Sequence, residues 1–96
     1  MRIKPEQLKA AIAPADYYQH ELPGAILKKY GWNDAGLCIF HNDTQKGSFR
    51  INTQTGAYCC FACQIKGGDI IAFEMDKYGL NFTEALVTLA EKWGLT

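Results

Sequence analysis

At 96 residues, with 48% hydrophobic and 21% charged side chains, the chain holds material for one globular domain, which excludes a multidomain enzyme. No stretch reaches the roughly 20 consecutive apolar residues of a membrane span, and Met1-Arg2-Ile3-Lys4-Pro5 leads into a polar helical pattern rather than a signal sequence, so the chain reads as cytoplasmic. The formal charge is zero, which excludes a strongly basic nucleic-acid binder but not a local basic face.

Pro5 suits the first turn of a helix carrying Leu8, Ala11 and Ile12, and Pro14 restarts a second helix carrying Tyr17 and Tyr18, which Leu22-Pro23-Gly24 ends. His20, alone in this stretch, is expected at the surface. Ala25 to Tyr30 allows one more helical turn, closed by Gly31. Leu37-Cys38-Ile39-Phe40 resembles a short strand and stops at the polar loop from His41 to Gly47. Ser48-Phe49-Arg50-Ile51-Asn52 alternates, with Phe49 and Ile51 on one face and Ser48 and Arg50 on the other. The turn Thr53-Gln54-Thr55-Gly56 returns the chain into Ala57-Tyr58-Cys59-Cys60-Phe61, making a hairpin.

After Gly67-Gly68, Asp69 is placed to cap a helix with Ile70, Ile71, Phe73 and Met75, which Gly79 stops. Asn81 and Glu84 have the spacing of a capping box. Phe82, Leu86, Leu89, Ala90 and Trp93 then form the stripe of a second helix, ending at Gly94. The fold class is therefore α+β, a small antiparallel sheet flanked by helices. Its parts are a helical lead over 1–30, a ribbon over 36–63 and C-terminal helices over 69–94, all in one domain over 1–96.

The chemical signal is Cys38-Ile39-Phe40-His41, then eighteen intervening residues, then Cys60-Phe61-Ala62-Cys63. Each two-residue spacer lets a turn aim both donors at one ion, and the hairpin brings the pairs together, as tetrahedral Zn²⁺ requires. Three thiolates and one imidazole leave no position for water, so the ion is structural. A disulfide arrangement is disfavoured by the cytoplasmic reading and by the histidine in fourth place. A rubredoxin-type iron site would need Cys59 in place of His41, strained by its adjacency to Cys60. Cys59 is instead a spare thiol, because neighbouring strand residues face opposite ways.

Charge is unevenly distributed. Residues 1–27 balance, with Arg2, Lys4 and Lys9 against Glu6, Asp16 and Glu21. Residues 28–68 carry Lys28, Lys29, Lys46, Arg50 and Lys66 against Asp34 and Asp43, and residues 69–96 carry Lys77 and Lys92 against Asp69, Glu74, Asp76, Glu84 and Glu91. The basic middle interleaves Lys46, Arg50 and Lys66 with Phe49, Tyr58 and Phe61. Cations for phosphates beside rings for unstacked bases suit single-stranded nucleic acid. Phe49 is expected in the core, Lys46 and Arg50 on phosphates, and Tyr58 and Phe61 on opposite faces. The acidic helices equally suit a protein-docking module braced by the metal. No two-metal carboxylate cluster, phosphate loop or nucleophile elbow is present in the sequence, so no catalytic residue is assigned.

Cys38-x-Phe40-His41, Ser48-Phe49, Cys60-Phe61-x-Cys63 and Gly67-Gly68-Asp69-x-Ile71-x-Phe73 together resemble the N-terminal zinc-binding domain of DnaG-type bacterial and phage primases. The resemblance covers roughly residues 30–95. It implies a zinc ribbon, Cys38, His41, Cys60 and Cys63 as ligands, single-stranded DNA template as partner, and a role in choosing where primer synthesis starts. A primase catalytic domain and a replicative helicase are further implied partners, and the nucleotidyl-transfer chemistry lies outside these residues. Ile39 replaces the family's usual proline, and Asp43-Thr44-Gln45-Lys46-Gly47-Ser48-Phe49 is one residue longer than the usual stretch and lacks its proline. The Tyr17-Tyr18 lead and the Trp32 segment are similar to versions on phages and mobile elements.

Overall fold

Proline at the first position of each opens two N-terminal helices, α1 (Pro5–Ala11) and α2 (Pro14–Glu21), in a computed structural model that describes residues 3–95; Arg2 lies outside the described residues. Four short strands follow: β1 (Trp32–Asp34), β2 (Phe49–Asn52), β3 (Tyr58–Cys60) and β4 (Lys66–Gly67). They pair in chain order β1-β2-β3-β4, antiparallel throughout. Helices α3 (Ile70–Tyr78) and α4 (Phe82–Lys92) close the chain. None of the described helices is long and apolar enough to cross a membrane.

The caps expected at both C-terminal helices form. Asp69 accepts from Ala72 N at 2.9 Å, Gly79 ends α3 at φ 65°, and Asn81 and Glu84 exchange the two bonds of a capping box. The hairpin also stands as expected, with Phe49 opposite Cys60 and Ile51 opposite Tyr58. Two expectations are corrected. Ala25 to Tyr30 forms no helix, and Leu37–Phe40 forms no strand; the first strand is Trp32–Asp34 instead. The amides of Cys38 and Phe40 turn to Asp43 Oδ2 (2.8 Å) and to Cys38 Sγ (3.4 Å), which leaves none of them for a sheet ladder.

Alternation divides the sheet into two faces. Asn33, Phe49, Ile51, Tyr58 and Cys60 are buried inward under the helices. Trp32, Asp34, Arg50, Cys59 and Lys66 take the outward positions, and register aligns Asp34, Arg50, Cys59 and Lys66 in one row across all four strands. The Tyr58 ring packs edge-on against Phe73 (5.2 Å) and stacked with Phe40 (6.2 Å), and its hydroxyl donates to Asp76. Gly67 lies beneath this ring: a Cβ there would meet Tyr58 atoms at 2.5 Å. The absence of a side chain at Gly67 thus lets an aromatic side chain cross the strand.

The lead and the C-terminal helices are joined by a buried polar seam. Glu74, fully buried, accepts from Tyr17 Oη and Lys92 Nζ, each at 2.6 Å. Glu21 accepts from Tyr78 Oη (2.6 Å) and Lys77 Nζ (3.0 Å). Burial works against ionisation of Glu21, but the bonds from Tyr78, Lys77 and His20 outweigh it and hold the carboxyl down at about 2. Lys92 Nζ also lies 3.9 Å from the Tyr78 ring centroid. Replacing Glu21 with Gln is expected to lower unfolding stability at neutral pH by about 2–3 kcal/mol, measured by urea denaturation, because the Lys77 ammonium loses its charged acceptor and Tyr78 an ionised one.

Candidate metal centre

Cys38, His41, Cys60 and Cys63 converge at one end of the sheet, each with a ligand atom within 4.8 Å of the others. Cys38 and His41 belong to the turn after β1. Cys60 ends β3, and Cys63 closes the tight turn into β4. Cys38 Sγ lies 4.0 Å from Cys63 Sγ, and Cys60 Sγ lies 3.3 Å from His41 Nε2. A tetrahedral Zn²⁺ with Zn–S near 2.3 Å and Zn–N near 2.0–2.1 Å needs donor separations of about 3.8 Å and about 3.6 Å. The donor set therefore fits one structural zinc with little movement. Cys59, one residue away, faces the opposite side of the sheet.

Local backbone geometry prepares the thiolates. Phe40 N–H donates to Cys38 Sγ, and Gln64, at φ 65°, turns its N–H onto Cys60 O at 2.7 Å. Burial pushes the Cys38 thiol up to about 12. Burial would raise Cys60 too, but the amides of Cys63 and Ala62 and the His41 ring outweigh it and bring that thiol down to about 7. Thiols gathered this closely repel one another once ionised, and a bound dication removes that repulsion.

Asp43, not singled out by the sequence pattern, braces the first ligand pair. Its Oδ2 accepts from Cys38 N (2.8 Å) and lies 3.9 Å from His41 Nε2, while Oδ1 accepts from Gln45 N at 3.2 Å. The bond from the Cys38 amide holds its carboxyl below the usual range. Its signal was a polar loop with Asp two residues after the histidine, where Asp side chains bond to nearby amides.

The candidate nucleic-acid residues separate. Arg50 and Lys66 lie on the outward face, Lys46 is exposed in the loop before β2, and Phe61 is 71% exposed. Tyr58 is corrected: at 1% exposure, with its hydroxyl engaged by Asp76, it offers no surface to a base. Trp32, unassigned in the sequence pattern, is 47% exposed on the same outward face as Arg50.

Ion pairing is just as divided. Lys9, Lys77 and Lys92 pair with Asp69, Glu21 and Glu74. Among the described residues, Lys28, Lys29, Lys46, Arg50 and Lys66 enter no ion pair. The acidic excess of residues 69–96 is largely consumed within the fold: Glu74 is buried, Asp69 and Glu84 cap helices, and Asp76 holds Tyr58.

Known proteins share this arrangement. The CHC2 zinc finger pattern of the DnaG zinc ribbon matches residues 7–96. A DNA primase of Borreliella burgdorferi is 44% identical over 69 residues, covering 72% of this chain and 13% of that protein. A DNA primase of Synechococcus elongatus is 34% identical over 92 residues, covering 96% of this chain and again 13% of the relative. The chain thus spans a small part of the length of these relatives. The crystal structure of the Aquifex aeolicus primase, comprising zinc-binding and RNA polymerase domains, matches with a TM-score of 0.76 at 26% identity, over 98% of this chain and 22% of that one. With the four donors gathered at one point and the pattern spanning almost the whole sequence, the chain belongs to the CHC2 zinc-finger family, the zinc ribbon of DnaG-type DNA primases.

Proposed function

We propose that this chain engages single-stranded DNA template for a primase, with Lys46, Arg50 and Lys66 on phosphates and with primer synthesis performed by a catalytic domain outside these residues. The observation that carries this reading is the charge census: Arg50 and Lys66 on the outward face of a metal-braced sheet, and Lys46 in the loop before it, enter no ion pair among the described residues, whereas Lys9, Lys77 and Lys92 of the helices are neutralised. Unpaired cations release condensed counterions on meeting a phosphate chain, with no internal ion pair to break first. The relatives are named DNA primases, which supports DNA template as the ligand; a replicative helicase in the cytoplasm is proposed as a further partner. Docking through the acidic helices is the weaker reading, because most of those carboxylates are already engaged. The similarity of the lead and the Trp32 segment to versions on phages and mobile elements supports a parent protein carried by such an element.

Arg50→Ala is expected to keep zinc and the melting temperature while weakening oligonucleotide binding. The slope of log affinity against log salt should flatten by about 0.7, the value for one phosphate contact on a single strand. Fluorescence anisotropy with a labelled oligonucleotide at several salt concentrations measures it. Equal slopes in both proteins would remove Arg50 from the site.

A further inference from the structure

The outward face holds two large rings that the fold does not use. Trp32 is 47% exposed on β1 and Phe61 is 71% exposed just beyond β3. Among the described residues neither ring packs against another aromatic, whereas Tyr17, Tyr18, Phe40, Phe49, Tyr58 and Phe73 all do. Phe61 walls an open groove of about 430 Å³ together with Cys59, Gln64 and Lys66. Trp32 lies on the other side of the row, opposite Asn52 and two residues along from the strand position opposite Arg50.

We propose that Trp32 and Phe61 are base-stacking platforms on either side of the row that carries Arg50 and Lys66, whose cations hold the phosphates. The inference rests on the template-binding reading above and deepens it by naming the residues that hold bases. From Trp32 on β1 to Phe61 at the end of β3 the path crosses two strand spacings, roughly 9 Å, and passes from one side of the row to the other. Rings thus stand on both sides of a cationic row, so an unpaired strand can lay bases on the rings and its phosphates on the row. A protein-docking patch has the opposite layout, with apolar residues gathered centrally and charge kept to the rim. Arg50 lies on a central strand of this face, beside Cys59, with Lys66 on the edge strand next to it.

The test titrates the zinc-loaded chain with a labelled single-stranded oligodeoxynucleotide and with the same backbone lacking bases. Trp32→Ala and Phe61→Ala should each lose roughly 5- to 100-fold in affinity for the normal strand with no change in salt slope, since stacking releases no counterions. Trp32→Phe should recover most of the loss. The base-free strand should bind wild type and both alanine variants alike. As both rings are exposed, zinc content and melting should be unchanged. A readout without truncation uses Trp93→Phe, which leaves Trp32 as the sole indole: its emission should be quenched by the normal strand and not by the base-free one.

Saturable DNA binding that both alanine variants retain at full strength, or an indole that does not respond to bound DNA, overturns the stacking assignment while leaving the template reading standing. Absence of saturable binding by wild type overturns both.

Discussion

Cys60→Ser is expected to lose its zinc and, with it, the cooperative unfolding transition. Structural zinc contributes on the order of 10–16 kcal/mol at neutral pH, against a net stability of about 5–15 kcal/mol for a whole domain. Cys60 is also where sheet and metal meet: its N–H bonds Ile65 O at 2.9 Å and its carbonyl takes Gln64 N at 2.7 Å, so its side chain and backbone hold the same turn. Without the fourth ligand, the three remaining donors and the turns before and after them lose the charge that gathers them. Elemental analysis of the purified variant and a thermal scan by circular dichroism check this. A variant that keeps one zinc per chain and melts as wild type would refute the ligand set. Cys59→Ser is the internal control and should change neither quantity, because that thiol is turned to the outward face.

Glu74→Ala has the next largest expected effect, a loss of about 3–5 kcal/mol in urea unfolding with zinc retained. The carboxylate is fully buried and its two oxygens serve different helices, Oε1 taking Tyr17 Oη and Oε2 taking Lys92 Nζ. Truncation leaves a hydroxyl and an ammonium with a cavity between them. Lys92 retains Glu21 Oε2 at 3.7 Å, so the charge is not wholly stranded, whereas the tyrosine loses its acceptor. Glu74→Gln should recover part of the loss, since an amide oxygen still accepts from Tyr17. A variant as stable as wild type would show that the seam does not hold the lead in place.

The two substitutions separate what was legible in the sequence from what was not. The zinc ligands were legible because their spacing is local: two residues within each pair and a hairpin between pairs leave one way to meet an ion. The alternation of Phe49, Arg50 and Ile51 gave strand and face together, and the caps at Asp69 and Asn81 needed only three residues of context. The misreading of Leu37–Phe40 has a definite cause, since Cys38 must turn toward the ion and an apolar run that houses a ligand turn looks like a short strand. β1 was invisible for the reverse reason. Its central residue is the polar Asn33, buried at 3% exposure because its amide bonds Lys29 O and Gly31 O and its carbonyl takes Lys29 N. The polar seam was out of reach as well, because Tyr17 and Glu74 stand 57 residues apart and no local periodicity relates them.

The brevity of the outermost strands has a consequence for colloidal behaviour. β1 offers three residues and β4 only two, one of them the charged Lys66. A strand that short presents too few open amide and carbonyl groups to recruit a foreign chain, and its lysine would have to be desolvated by any newcomer. The ribbon thus guards its own margins against amyloid-like growth, even with Trp32 exposed beside one of them.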